Sequence, residues 1–154
     1  MKPYLIVLLI LTPLFCFSQS YFNKDRAKVK KELEHFISKN SILHPSLKET
    51  DSTLMLETEV NPGKKIQVVF AFDQEKGHCN SQRTVTYCDA CYQEEVNKLL
   101  AQKSYQWKKL NENQYASRYE DHLLLELRSE ETDFSFTLFK TNWSRDFYEL
   151  LTRE

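Results

Sequence analysis

Apolar residues recur along this chain with two periods, and the alternation between them lays out the elements. Within residues 22–39, Phe22, Val29, Leu33, Phe36 and Ile37 fall at helical intervals and predict an amphipathic helix with one apolar stripe. Its other faces carry Lys24, Arg26, Lys28, Lys30 and Lys31, interleaved with Asp25, Glu32 and Glu34, which reads as a solvated face rather than a polyanion patch. Residues 40–50, marked by His44-Pro45, read as a loop with Ile42, Leu43 and Leu47 held against the core. The period then drops to two. Leu54, Leu56 and Val60 point one way and Glu57 and Glu59 the other; Asn61-Pro62-Gly63 signals a turn; Ile66, Val68, Phe70 and Phe72 line the inner side of a second strand.

Gln74-Glu75-Lys76-Gly77 predicts the next turn, and residues 78–87 a third strand ending in Thr84-Val85-Thr86-Tyr87. Residues 90–103 return to helical spacing with Tyr92, Val96, Leu99 and Leu100, and Asp89 is the expected N-cap. Four short strands follow, at 105–110, 114–119, 122–128 and 132–140, the last two turning Leu123, Leu125, Leu127, Phe134, Phe136 and Leu138 inward. Trp143, Phe147, Leu150 and Leu151 then predict a closing helix capped by Asn142. The order α-βββ-α-ββββ-α defines an α+β fold: an antiparallel sheet of six to seven strands covered by three helices.

The first residues change where the protein is expected to work. Lys2, the apolar run Leu5 to Phe17 and the small-x-small triplet Cys16-Phe17-Ser18 predict a secretory signal over residues 1–18. The run is shorter than the roughly 20 residues of a spanning helix, and the bulk of Phe15 argues against a lipid anchor on Cys16. Residues 19–154 then form a single α+β domain, since no repeat, linker or low-complexity segment interrupts them. Removing 18 residues of 154 leaves 136, with 20 basic side chains against 22 acidic. That size buries about two-thirds of the unfolded surface. The charge lacks the basic excess of a nucleic-acid binder. The expected location is periplasmic or extracellular.

With only two glycines, Gly63 and Gly77, the chain has no P-loop, no dinucleotide G-x-G-x-x-G and no G-x-S-x-G elbow. The four histidines (His35, His44, His78, His122) show no metal-ligand spacing, and Tyr92 after Cys88-Asp89-Ala90-Cys91 excludes c-type haem attachment. The pairs Glu57/Glu59, Glu94/Glu95 and Glu130/Glu131 read as solvated acids rather than hydrolase carboxylates. The formal glycosylation sequon at Asn142 is discounted because the signal has a bacterial cast.

The chemistry-bearing stretch is His78 to Lys103. Its C-x-x-C stands where a strand meets a helix, the position of a redox pair. No proline follows Pro62 to face such a pair, and the strands that follow suit that class poorly. His78, Cys79, Cys88 and Cys91 supply zinc-type ligands, but at a spacing that matches no common knuckle. If residues 79–88 are extended, Cys79 lies roughly 30 Å from Cys88, far beyond the about 7 Å a disulfide spans. On that reading Cys88 and Cys91 pair locally or stay reduced, and Cys79, the alternative disulfide partner, stands alone. Phe134, Phe136, Trp143 and Phe147 fit a core; Tyr105 and Trp107 are the aromatics expected at a partner surface. The sequence therefore reads as a small exported, non-catalytic domain without cofactor that binds a protein or small ligand. Its rivals are a redox or zinc-centred protein using Cys79, Cys88 and Cys91, and a secreted inhibitor or immunity-type protein.

Overall fold

Each half of the chain opens with a helix and continues as four antiparallel strands. The computed structural model describes residues 21–61, 64–130 and 133–153. Helix α1 (Arg26–Lys39) leads into β1 (Ser46–Glu49), β2 (Thr53–Asn61), β3 (Lys64–Phe72) and β4 (Cys79–Thr86). Helix α2 (Asp89–Leu100) leads into β5 (Lys108–Asn111), β6 (Gln114–Ala116), β7 (Leu123–Glu130) and β8 (Asp133–Lys140), and α3 (Arg145–Leu151) ends the described chain. The fold is α+β: three helices among the described residues and one antiparallel sheet of order β1-β2-β3-β4-β8-β7-β6-β5. That order is a palindrome of two α-ββββ halves, joined where β4 pairs with β8. The sheet has eight strands rather than six or seven, because Ser46–Glu49 pairs with Leu54–Glu57 at the edge instead of remaining a loop. Four residues with no strict alternation are too short a run to read as a strand. The expected leader and the Pro62-Gly63 turn lie outside the described residues.

The register sorts the sheet into two faces. Leu54 opposes Phe70, Phe70 opposes Gln82, Gln82 opposes Leu138 and Leu138 opposes Leu125, so all five share the helix-bearing side. There, α1 buries Val29, Leu33 and Phe36 against Leu54, Leu56, Phe70 and Phe72, with the Tyr21 ring tilted against Phe70 at 4.9 Å between centroids. Likewise α2 buries Tyr92, Val96 and Leu99 against Leu123, Leu125, Phe136 and Leu138. Helix α1 begins where Asp25 accepts a hydrogen bond from the Lys28 amide at 2.9 Å. The far side carries half-exposed Met55, Val69, Val85, Leu124 and Phe139. It also carries Glu57, which accepts from Lys65 at 2.9 Å and from Gln67 at 2.8 Å; these bonds hold its carboxyl below the usual range.

Two expectations fail at the C-terminal end. Helix α3 is capped by Ser144, whose Oγ accepts from the Phe147 amide at 3.3 Å, and not by Asn142. It buries Tyr148, against Tyr119 at 5.5 Å, rather than the predicted stripe; Phe147 is 45% and Leu150 64% exposed. The apolar period of this helix is real, but its partner is a polar-edged turn at Tyr119–Asp121, so the aromatic ring with a hydroxyl goes inward.

The turn between β3 and β4 does use its glycine as expected: Gly77 has φ of 65° and donates to the Asp73 carbonyl at 3.0 Å. Nothing lies within 4 Å of a Cβ added there, so only the backbone conformation resists a side chain. Gly77→Ala should therefore cost about 1 kcal/mol, read as a lower urea midpoint with an unchanged slope. A neutral result would place this turn outside the left-handed region.

Candidate functional site

The stretch that carries the chemistry spans both ends of β4, and the structure keeps those ends apart. Cys79 begins the strand and is fully buried beneath α1; its amide donates to Lys24 O at 2.9 Å, and its carbonyl accepts from Asn23 at 3.1 Å. Burial pushes its thiol up to about 12, so it is neutral and inert at physiological pH. His78, half-buried, pairs through its backbone with Asp25 as an isolated antiparallel β-bridge. Cys88 and Cys91 lie past the other end of β4, joined by a disulfide with Cα atoms 5.2 Å apart. The set His78, Cys79, Cys88 and Cys91 thus splits into two pairs on either side of an eight-residue strand. Among the described residues, no three of His, Cys, Asp and Glu cluster in a way that would hold a metal ion.

The head of α2 departs from expectation. Its N-cap is Cys88, whose Sγ accepts from the Cys91 amide at 3.1 Å, while Asp89 is already the first helical residue. A sulfur tied to Cys91 is held where the capping acceptor must sit, and it displaces the better intrinsic capper. Four residues later comes the acid that sequence reasoning misplaced. Glu95 is 4% exposed, not solvated, and burial holds its carboxyl above the usual range despite a bond from Lys98 at 3.2 Å. Its position was readable: 95 stands three residues after Tyr92 and four before Leu99, on the same helical face. Its partner in the proposed pair, Glu94, does lie outside and meets Lys98 at 2.6 Å.

Tyr105 and Trp107 are also misplaced by the sequence reading. They precede β5 instead of forming its start. Tyr105 is 2% exposed, and Trp107, half-buried, donates its indole N–H to Leu99 O at 3.1 Å. Leu99 O already accepts from the Gln102 amide at 3.2 Å, so the indole adds a second donor at the C-terminal end of α2 and ties the loop down.

Between α2 and the β5–β6 hairpin lies a cleft of about 690 Å³. One side is Tyr92, Gln93 and Val96; the other is the turn Asn111–Gln114; Glu126 to Ser129 of β7 complete the lining. The turn side is built because β6 stops short. It pairs with β7 only from Leu124 to Glu126, after which the Leu127 amide reaches the Asn113 carbonyl at 2.7 Å. Beyond that bond Arg128 and Ser129 are exposed. Asn111 donates to the Gln114 side chain at 2.9 Å and Gln114 to Glu126 at 3.3 Å, so the rim is a chain of amides that ends in a carboxylate. A hollow of similar size along α1 is bounded, among the described residues, by that helix and its C-cap alone. It lacks a second wall.

The fold and this cleft define an α+β sheet-and-helix domain with a polar recess at one end of its second half. Set against family models, characterised proteins and solved structures, the chain matches none of them.

Proposed function

We propose that this chain is a small exported binding domain, and that its ligand is a polar molecule or chain segment seated between α2 and the β5–β6 hairpin. The single observation that carries this reading is the cleft of about 690 Å³, within the 300–1,000 Å³ range typical of ligand sites. Its lining fits a ligand rich in both donors and acceptors: Gln93, Asn111, Asn113 and Gln114 offer each, and Glu112 of the same turn accepts. Export is supported by the leader-like residues 1–18 and by a disulfide that suits an oxidising compartment. The reading needs no cofactor and no reaction at the cleft. The rival zinc set is not carried forward, because its two halves sit at opposite ends of β4. An inhibitor or immunity-type role would be one use of the same recess by a partner chain.

A protein-observed ¹⁵N NMR screen of polar fragments and short amide-rich peptides tests it. Amide shifts should gather at Gln93, Asn113, Gln114, Arg128 and Ser129. Hits gathering along α1, or none at millimolar fragment, would remove the cleft as the binding site.

A further inference from the structure

Helix α2 starts on a sulfur. Cys88 is extended, at φ −158° and ψ 154°, and its Sγ takes the Cys91 amide hydrogen at the positive end of the helix. Both cysteines are half-buried, and Asp89 and Ala90 between them are exposed, so the bond stands at the surface. Glu95 follows Cys91 by four residues, which places both on one side of the helix with Cβ atoms about 5–6 Å apart. That is within the reach of one carboxyl, or of one bridging water. Glu95 Oε1 receives Lys98, whereas Oε2 is buried without a hydrogen-bond partner. A buried acceptor left open is costly, and neither the core nor the cleft uses this one.

We propose that Cys88–Cys91 is a thiol–disulfide exchange centre in which Glu95 receives and returns the proton of Cys91. This activity goes beyond binding at the cleft and does not rest on it. In the reduced protein the Cys88 thiolate keeps the Cys91 amide and the helix end as partners, which favours the anion. The thiolate attacks a substrate disulfide RS–SR; a Cys88–S–SR bond forms and RS⁻ leaves. Glu95 carboxylate then takes the proton from the Cys91 thiol, and the resulting thiolate displaces the second RS⁻ to close the protein disulfide. Glu95 then hands its proton to one RS⁻, and the proton that Cys88 shed to solvent on ionising reaches the other, so that overall the dithiol chain gives up two electrons and two protons and the substrate becomes two thiols. A dithiol drives the same steps backwards. The substrate class is an accessible disulfide or dithiol, small or on another chain.

Burial, which raises the Glu95 carboxyl, brings it nearer to neutral pH, where an acid–base partner works best. The charged groups facing it are Lys98 and Glu94 of its own helix. The strands beneath, β4 and β8, turn Gln82, Thr84, Thr86, Phe134, Phe136 and Leu138 to the helices, and none of these titrates.

The test uses the purified exported chain, reduced and then mixed with oxidised glutathione between pH 5 and 9. Samples are quenched with an alkylating agent and weighed by mass spectrometry. The wild type should pass through a single glutathione adduct on Cys88 and close, with Cys79 unlabelled throughout. Glu95→Gln should slow closure of that adduct about tenfold or more at pH 7, at the low end of what a positioned base supplies, and should erase the acidic inflection of its rate. First-step adduct formation should change less than twofold. Glu95→Asp, which keeps a carboxyl, should retain the inflection at an intermediate rate. A disulfide that resists dithiothreitol until the chain unfolds, or a closure rate in Glu95→Gln equal to wild type across the pH range, would overturn the proposal.

Discussion

Phe136→Ala should destabilise the protein by about 3–5 kcal/mol, the range for removing a large buried aromatic. The ring is 3% exposed and belongs to the cluster of Tyr92, Val96, Leu125 and Leu138. It stands opposite Thr84 of β4 on one side and Leu127 of β7 on the other, near the middle of the β4–β8 ladder that unites the two halves. The void would therefore open under α2 and beside the seam at once. Against a total stability of about 5–15 kcal/mol for a domain, that is a large share. Urea titration followed by far-ultraviolet dichroism and by tryptophan fluorescence should show one coincident transition shifted to lower urea. Separate transitions for the two probes would mean that the halves are not coupled through this seam; a loss below 1 kcal/mol would mean that Phe136 is not packed as described.

Alternation made the long strands legible. Ile66-Val68-Phe70-Phe72, Leu123-Leu125-Leu127 and Phe134-Phe136-Leu138 turn inward as their period requires, and the helical stripe of α1 buries Val29, Leu33 and Phe36. The duplicated α-ββββ plan was not legible, for a physical reason. The two halves share topology without sharing side chains: the helix-facing residues of β4 are Gln82, Thr84 and Thr86, and those of its counterpart β8 are Phe134, Phe136 and Leu138. Short edge strands were lost for want of period, as with Ser46–Glu49, or overextended, as with Tyr105, held by backbone bonds to Gln102 and Arg118, and Trp107, held by a bond to the end of α2. At the reactive stretch the ladder from Cys79 to Thr86 follows the Thr-Val-Thr run and keeps Cys79 from the other sulfurs. Glu95 runs against its own chemistry. Its charge argued for water, while its spacing with Tyr92, Val96 and Leu99 put it inside; the packing of the stripe prevailed.

Glu95→Leu should stabilise the protein at pH 7 by about 1–3 kcal/mol, the cost of keeping a buried polar group short of a partner. Lys98 loses little, because it retains Glu94 at 2.6 Å. The sign with pH distinguishes this carboxyl from the others. Its folded value is raised above the unfolded one, so the native state holds the Glu95 proton more tightly. Whatever stability this confers is complete below the unfolded value near 4.5 and drains away as pH rises through the folded value. Asp25, Glu49 and Glu57 act in the opposite direction: ion pairs and hydrogen bonds lower them, and their contribution is lost on acidification. A stability profile of the wild type alone would mix the two. The difference between Glu95→Leu and wild type isolates one, and it should be smallest near pH 4, widen through the mildly acidic range and then level off. A difference that stays flat from pH 4 to 8 would show a carboxyl that ionises as if in water. The proton relay to Cys91 would then lose its buried acid, whatever the state of the disulfide.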